Sequence, residues 1–316
     1  MRLGVINWWG DKKSAVFHNK DGFLRMLQVL KERDGWEVKF FKKHKNIFDW
    51  EHDCVDLRFS PDPTAELKAW KPDAVLVFAD FSFPQIRELL DLKIPIAQCY
   101  TGGRFTEQAR IPDLVFTESK SYIPWMKEIG VRKVVQAFGT NTELFQPMKM
   151  TKQFDSIFPA TGAAWKRHHI FAEAMKERGL VCGWWQPNEQ HCLQVCLDNG
   201  CAVLHHQLPE SLVYLYNMAR TVAIPSSDVG GSQRTVLEAM ACNIPLVVAS
   251  DSTMTTEYVL EAGEGAIIEP DPNKFRVAID DMKNRTVNTR PWIMANYSEY
   301  IYADKVRDNI LQLCQK

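Results

Sequence analysis

The chain has 316 residues, 46% of them apolar and 24% charged, with 38 Lys and Arg against 39 Asp and Glu for a net charge of −1. That length suggests about two domains, or one large α/β unit, and a chain that buries roughly 75% of its unfolded surface needs no disulfide or metal staple. The balanced charge argues against a protein whose main task is to hold nucleic-acid phosphates or an anionic membrane, and the composition excludes disordered, collagen-like and disulfide-framework classes.

No stretch reaches the about 18 consecutive apolar residues that a membrane-spanning helix needs, so no transmembrane segment is expected. The opening residues, Met1 to Asn7, carry one charge and a very short apolar run, and read as a first strand rather than a signal peptide. Eight cysteines are scattered with no C-x-x-C pair. Together these features predict reduced thiols in a cytoplasmic protein.

In chain order, short apolar runs alternate with helical spacing. Leu3 to Asn7 is strand-like, and Asp21 can cap a helix in which Phe23, Leu27 and Leu30 recur on one face. Trp36 to Phe41 reads as a second strand. Ala74 to Phe78 is a continuous apolar run of the kind found in buried parallel strands. A helix over Gln85 to Leu92 leads to the strand Ile94 to Tyr100, then Leu114 to Phe116, a helix near Ser121 to Ile129, and the strand Val134 to Gln136. This β-α alternation predicts a doubly wound parallel sheet. The rhythm breaks at the turn cluster Phe138 to Asn141 and the aperiodic stretch Gln146 to Gln153. It restarts with strands at Asp155 to Pro159, Cys201 to His205, Val222 to Pro225, Pro245 to Ala249 and Gly265 to Ile268. Helices are expected over His169 to Arg178, Arg234 to Ala241, Asn273 to Lys283 and Tyr297 to Cys314. The expected organisation is two Rossmann-like domains, residues 1–148 and 149–296, followed by a terminal helix, residues 297–316.

Several familiar motifs are absent: a phosphate-binding G-x-x-x-x-G-K-[ST] loop, a G-x-G-x-x-G after a strand, H-E-x-x-H and a G-x-S-x-G elbow. There is no D-x-D pair to bridge a metal to a diphosphate. The strongest signal is the segment Pro225 to Pro245, an apolar strand that runs into a small-residue loop and then a helix. Ser232 is placed to cap that helix. Gly230 and Gly231 let backbone approach a ligand closely. Unpaired N–H groups at the helix start, over Ser232, Gln233, Arg234 and Thr235, attract an anion such as a diphosphate, and Arg234 adds a planar donor fork. Glu238, one turn on, can accept hydrogen bonds from two neighbouring sugar hydroxyls. Arg234 and Glu238 are equally an i,i+4 pair of the kind found on helix surfaces.

This segment resembles the C-terminal signature of retaining, nucleotide-sugar-dependent glycosyltransferases of family four, which have the GT-B fold. Other segments fall in the family's order. Ile6 to Leu30 resembles its opening strand, loop and helix, and Asp113 to Ser119 resembles the strand that ends in a serine. Gly139 to Pro147 resembles the interdomain G-V-D-T-x-x-F-x-P signature. Leu208 to Ala219 resembles the loop and helix before the signature strand, Glu257-Tyr258-Val259 resembles a later E-x-V turn, and Tyr300 to Ile310 resembles the last helix.

The resemblance implies two Rossmann-like, doubly wound parallel-sheet domains facing across a cleft. It implies transfer of a hexose from a nucleoside-diphosphate sugar to a glycan or other hydroxyl acceptor, with retention. Glu238 would hold the nucleotide's ribose. Of the stretch Gly162 to Arg167, Lys166 fits the family's lysine best, with Arg167 a competing choice. Fixed positive charge from Lys166 and Arg234 would stabilise the departing phosphates, so no metal and no cofactor is expected. Lys166 and Arg167 could equally be a solvated helix start.

The sequence also departs from the family. The first of two family glutamates falls on Gly230, with Asp228 two residues away, and Ala163 stands where an arginine is usual. Tyr100, which follows an N-terminal-domain strand, stands where related enzymes often have a histidine near the reacting sugar. It would hydrogen-bond donor or acceptor, or simply pack. The loss of the first glutamate motivates a second reading, a non-catalytic GT-B-like protein that binds a nucleotide sugar or a partner. A GT-B epimerase, which would change the sugar without an acceptor, is a third. His191, Cys192, Cys196 and Cys201 have spacings that can bind zinc, but cysteines near strand-like segments are commonly buried free thiols, and no metal site is expected. Trp8-Trp9 and Trp184-Trp185 lie just after strand-like segments, where α/β folds keep their ligands, although large aromatics more often pack. His205-His206 precedes the Pro209 loop and could line the nucleotide site, or equally be a surface pair.

Overall fold

The structure is a computed structural model. It describes residues 1–8, 21–51, 54–78, 84–99, 107–185, 187–228 and 234–315. The chain divides into two compact units, Met1–Gly139 with Tyr297–Lys316, and Thr140–Asn296.

The first unit contains β1 (Arg2–Asn7), α1 (Gly22–Glu32), β2 (Glu37–Lys43), β3 (Phe48–Glu51), β4 (Asp56–Ser60), α2 (Pro63–Trp70), β5 (Ala74–Phe78), β6 (Ile96–Cys99), β7 (Leu114–Thr117), α3 (Ile123–Glu128) and β8 (Val134–Gln136). The sheet order is β3-β4-β2-β1-β5-β6-β7-β8. Its pairs are parallel, apart from β3 with β4. That antiparallel edge departs from the all-parallel expectation, because a connection as short as the one between β3 and β4 can only fold back on itself. The helix expected over Gln85 to Leu92 is a 3₁₀ segment, Pro84–Leu92, whose Ile86 and Leu89 are buried. Asp21 caps α1, its carboxylate accepting from the Leu24 N–H at 2.8 Å. The two sheet faces bury alternate residues of the same strands. Leu3, Val5 and Leu76 join α1 on one side, and Ile6, Val75 and Val77 join Leu67 and Ile86 on the other.

The second unit contains β9 (Phe154–Pro159), α4 (His168–Met175), β10 (Gly179–Gly183), α5 (Gln190–Asp198), β11 (Ala202–His205), α6 (Pro209–Met218), β12 (Ala219–Ile224), α7 (Arg234–Ala241), β13 (Leu246–Ala249), α8 (Thr253–Ala262), β14 (Ala266–Ile268), α9 (Pro272–Met282) and α10 (Arg290–Asn296). Its strands pair in parallel in the order β11-β10-β9-β12-β13-β14. Glu257, Tyr258 and Val259 lie inside α8 rather than in a turn; the helix ends at Gly263, whose φ of +70° supplies the left-handed cap. The chain then returns to the first unit with α11 (Glu299–Cys314). Tyr302, Ala303, Val306 and Ile310 of α11 bury against α1. Ion pairs of Arg33 with Asp304 and of Arg307 with Asp34 flank that contact. Gly139 is required here: a Cβ would come 2.9 Å from the Tyr297 carbonyl oxygen and 3.0 Å from that of Ser298.

Both units are thus α/β with doubly wound sheets, as the sequence predicts. Among the described residues no helix is long and apolar enough to cross a membrane.

Candidate functional site

In the second unit the strand order reverses between β9 and β12, the two central strands that run onward to opposite sheet edges. Open α/β sheets keep ligands outside the carboxyl ends of the strands at such a switch point. The loops after β9 and β12 start there, and they are tied together by the Ser227 N–H donating to the Trp165 carbonyl at 3.0 Å.

The loop after β9 is held closely at its base. Ala160 N–H donates to the Cys182 carbonyl and Gly162 N–H to that of Trp184, 2.9 and 2.8 Å away. A Cβ at Gly183 would fall 1.7 Å from the Ala160 carbonyl oxygen, so only glycine lets β10 end this close to the loop. The loop then forms a 3₁₀ turn, Ala164–Lys166. Lys166 places its ammonium 4.2 Å from the centre of the Trp165 ring, a cation–π contact.

Arg167 adopts a left-handed conformation with φ +56°, which costs a non-glycine residue on the order of 1 kcal/mol. Its guanidinium is fixed from two other strand ends. It donates to both Asp251 carboxylate oxygens at 2.8 and 2.6 Å and to the Pro225 carbonyl at 3.3 Å. The pair holds the Asp251 carboxyl below the usual carboxylate range and raises Arg167.

His168 follows, 2% exposed, its ring set 5.1 Å from Phe158 and 5.3 Å from Trp185. Neither ring nitrogen has a hydrogen-bond partner of good geometry, although a weaker approach to the Ala160 backbone opposes part of the shift. Burial, and secondarily the charge of Lys166, push its pKa down to about 4.

On the other side of the switch point, β12 ends and α7 begins at Arg234. Arg234 and Thr235 are half-buried, while Glu238 is nearly enclosed at 5% exposure. The Tyr216 hydroxyl, itself fully buried in α6, donates to the Glu238 carboxylate at 2.8 Å. Burial and the neighbouring carboxylate push that phenol well above its ordinary range. Asp228, in the loop before α7, accepts from the Met254 N–H at 3.3 Å and from the Thr253 hydroxyl, and so holds the first turn of α8.

The structure therefore brings the Lys166–Arg167 loop and the end of β12 to one place, with Glu238 inside the helix that follows. Gly230, Gly231, Ser232 and Gln233, named above for the diphosphate, lie outside the described residues, as does Tyr100. Trp8 packs rather than lining a site: it is buried and donates from Nε1 to Thr64 Oγ1 at 3.0 Å. Trp184 packs edge-on to His206. Cys196 and Cys201 do not gather with His191: Cys196 Sγ donates to the Cys192 carbonyl at 3.2 Å and Cys201 Sγ approaches the Ala172 carbonyl. Burial raises Cys196 to about 12 and Cys201 to about 11, as expected of inert thiols. Sequence reasoning missed Asp251, Tyr216 and His168. Asp251 follows the expected strand Pro245 to Ala249 by two residues, and that position at a strand's carboxyl end was the available signal.

Residues 140–291, nearly all of the second unit, match the family model described as glycosyl transferases group 1. Comparison with curated protein sequences finds no match. Among solved structures, a sucrose-phosphate synthase from Thermosynechococcus elongatus superposes with a TM-score of 0.77 at 15% identity, over 99% of this chain and 98% of that one. HepE from Anabaena, solved in complex with UDP and glucose, gives 0.75 at 14% identity, over 99% and 100%. A glycosyltransferase from Rickettsia africae gives 0.72 at 15% identity, over 99% and 98%. With the two parallel-sheet units described above, these likenesses define the fold as GT-B.

Proposed function

We propose that this protein is a glycosyltransferase that moves a hexose from a nucleoside-diphosphate sugar to a glycan or other hydroxyl acceptor, with retention at the anomeric carbon. The observation that carries the reading is the joining, at the switch point of the group 1-like unit, of the basic Lys166–Arg167 loop to the strand that feeds α7. HepE, which shares the fold, is a protein seen with UDP and glucose.

In this reading the diphosphate lies over the loop of Gly230, Gly231, Ser232 and Gln233 and the first residues of α7, Arg234 and Thr235, where backbone N–H groups and the helix dipole favour an anion. Lys166 and Arg234 oppose the charge that builds on the leaving phosphates, with Arg167 beside them. This electrostatic catalysis needs no metal in the transfer step. Glu238, oriented by Tyr216, receives the ribose hydroxyls. Tyr100 hydrogen-bonds the donor or the acceptor.

The experiment is a panel of nucleoside-diphosphate sugars scored for thermal stabilisation and for release of the nucleoside diphosphate, with Lys166→Ala and Glu238→Ala beside the wild type. The expected result is release by the wild type and a loss of about 10²- to 10³-fold in each folded variant. Undiminished turnover in both folded variants overturns these assignments. The second reading, a non-catalytic nucleotide-sugar binder, draws on Gly230 at the first glutamate's position and on Asp228, whose carboxylate is engaged by Thr253 and Met254. It predicts stabilisation by a donor with no release.

A further inference from the structure

At the start of α5 three chemically different metal-ligating groups converge. Glu189 closes the short 3₁₀ turn Pro187–Glu189, and His191 and Cys192 lie in the first turn of the helix that follows. The Cys192 Sγ lies 3.3 Å from His191 Nε2 and 4.0 Å from Glu189 Oε2, and His191 Nε2 lies 3.7 Å from the same carboxylate oxygen. Among the described residues this is the group in which three such ligand atoms lie within 4.8 Å of one another.

We propose that Glu189, His191 and Cys192 form a binding site for a zinc-class divalent ion, with the fourth position taken by water. Zinc binds thiolate sulfur at about 2.3 Å, imidazole nitrogen at about 2.0–2.1 Å and carboxylate oxygen at about 2.0–2.2 Å in a tetrahedron. Ligand atoms at those radii stand about 3.4–3.6 Å from one another. The observed triangle has edges of 3.3, 3.7 and 4.0 Å, so an ion is accommodated by side-chain movements of a few tenths of an ångström. The donor set selects the ion. A thiolate with an imidazole suits zinc and its neighbours, whereas magnesium and calcium call for oxygen ligands alone.

The surroundings support coordination. Cys192 is 3% exposed while the His191 side chain is 63% exposed, so the sulfur anchors the site from within and the imidazole closes over it from solvent. Burial, and then the Glu189 carboxylate, raise the Cys192 thiol above its ordinary range, and a hydrogen bond from the Ala163 backbone opposes part of that rise. Such an outer hydrogen bond orients and tunes a ligand. Coordination converts the Cys192 thiol to thiolate, with its proton released to solvent. The loop after β9 packs directly on this cluster: a Cβ on Gly162 would lie 3.5 Å from the Glu189 Cβ and from its carbonyl oxygen. A bound ion would thus fasten the start of α5 beneath the loop that carries Lys166. The site stands apart from the donor reading and holds whether or not that reading does.

The test titrates the chelator-treated full chain with Co²⁺ as a spectroscopic probe, then with competing Zn²⁺. The expected result is one Co²⁺ per chain with a sulfur-to-cobalt charge-transfer band, displaced by Zn²⁺. Cys192→Ser should abolish the band, and Cys314→Ser, which removes the exposed thiol of α11, should leave it intact. Because Cys192→Ser alters a buried position, the exposed His191→Ala carries the second arm, with Co²⁺ affinity weakened by at least about tenfold. Absence of stoichiometric uptake overturns the proposal. So does a band that survives in folded Cys192→Ser, or wild-type affinity in His191→Ala.

Discussion

Arg167 grips Asp251 with two hydrogen bonds, 2.8 and 2.6 Å long, one from each terminal nitrogen to each carboxylate oxygen, and so joins the loop after β9 to the segment after β13. A guanidinium and a carboxylate match in this fork geometry. The side chains are 23% and 45% exposed, however, so solvent screens much of the attraction. Asp251→Asn should therefore lower stability by less than about 1 kcal/mol at neutral pH, and by less still in high salt. The Asp251 carboxyl is held below its ordinary value of 3.8 by hydrogen bonding to Arg167. The unfolded chain thus takes up this proton at a higher pH than the folded one. The contribution is full above 3.8 and drains away as pH falls below it. Urea denaturation of wild type and Asp251→Asn at pH 7 and pH 3 checks this; a gap that widens on acidification contradicts it.

His168, the first residue of α4, also costs stability on acidification, but from burial rather than from an ion pair. Burial between Phe158 and Trp185, with Lys166 adding repulsion, drops its pKa from 6.5 to about 4. The imidazole is neutral in the fold. As pH falls from 6.5 toward 4, the unfolded chain binds a proton that the folded chain refuses, so stability is lost across that window. The full gap is worth about 3 kcal/mol. His168→Phe, an aromatic replacement for a ring whose nitrogens lack good hydrogen-bond partners, should flatten this slope. Denaturation midpoints at pH 7 and pH 4.5 decide it. An unchanged slope in the variant would place the acid sensitivity elsewhere.

Legibility from sequence followed the strength of local signals. Ala74–Phe78 and Leu246–Ala249 were readable because each is an unbroken apolar run, the mark of a strand covered on both faces. The hairpin of β3 and β4 went unread. Phe48–Glu51 and Asp56–Ser60 alternate apolar with charged residues at a sheet edge, and stretches that short carry little periodicity. The candidate site divides in the same way. Lys166 and Arg234 stand at strand-to-helix junctions, which local pattern marks. The groups that hold the site together do not: Arg167 meets Asp251 across 84 residues and Tyr216 meets Glu238 across 22. Such pairs are products of the sheet order, which brings segments distant in the chain together.

Arg290 tests how far one side chain secures the second unit. From the start of α10 its guanidinium donates to the carbonyls of Thr142 at 2.8 Å, Phe145 at 2.7 Å and Ala241 at 3.0 Å. Its backbone N–H donates to Asn243 Oδ1 at 2.7 Å. One residue thereby pins the opening segment of the unit to the carboxyl end of α7, where helix carbonyls lack partners within the helix. Phe145, fully buried against Tyr216, depends on that placement. Hydrogen bonds to a charged group are worth about 1.5–3 kcal/mol, and orphaned buried carbonyls add a penalty. Arg290→Ala should cost about 3 kcal/mol by this reasoning. Arg290→Lys should recover only a fraction, because a compact ammonium on a flexible stem lacks the rigid, extended donor fork that reaches all three carbonyls at once. Equilibrium denaturation of both variants measures this. Values within about 0.5 kcal/mol of wild type, the range of an ordinary surface substitution, would show that the three carbonyls are satisfied without the guanidinium.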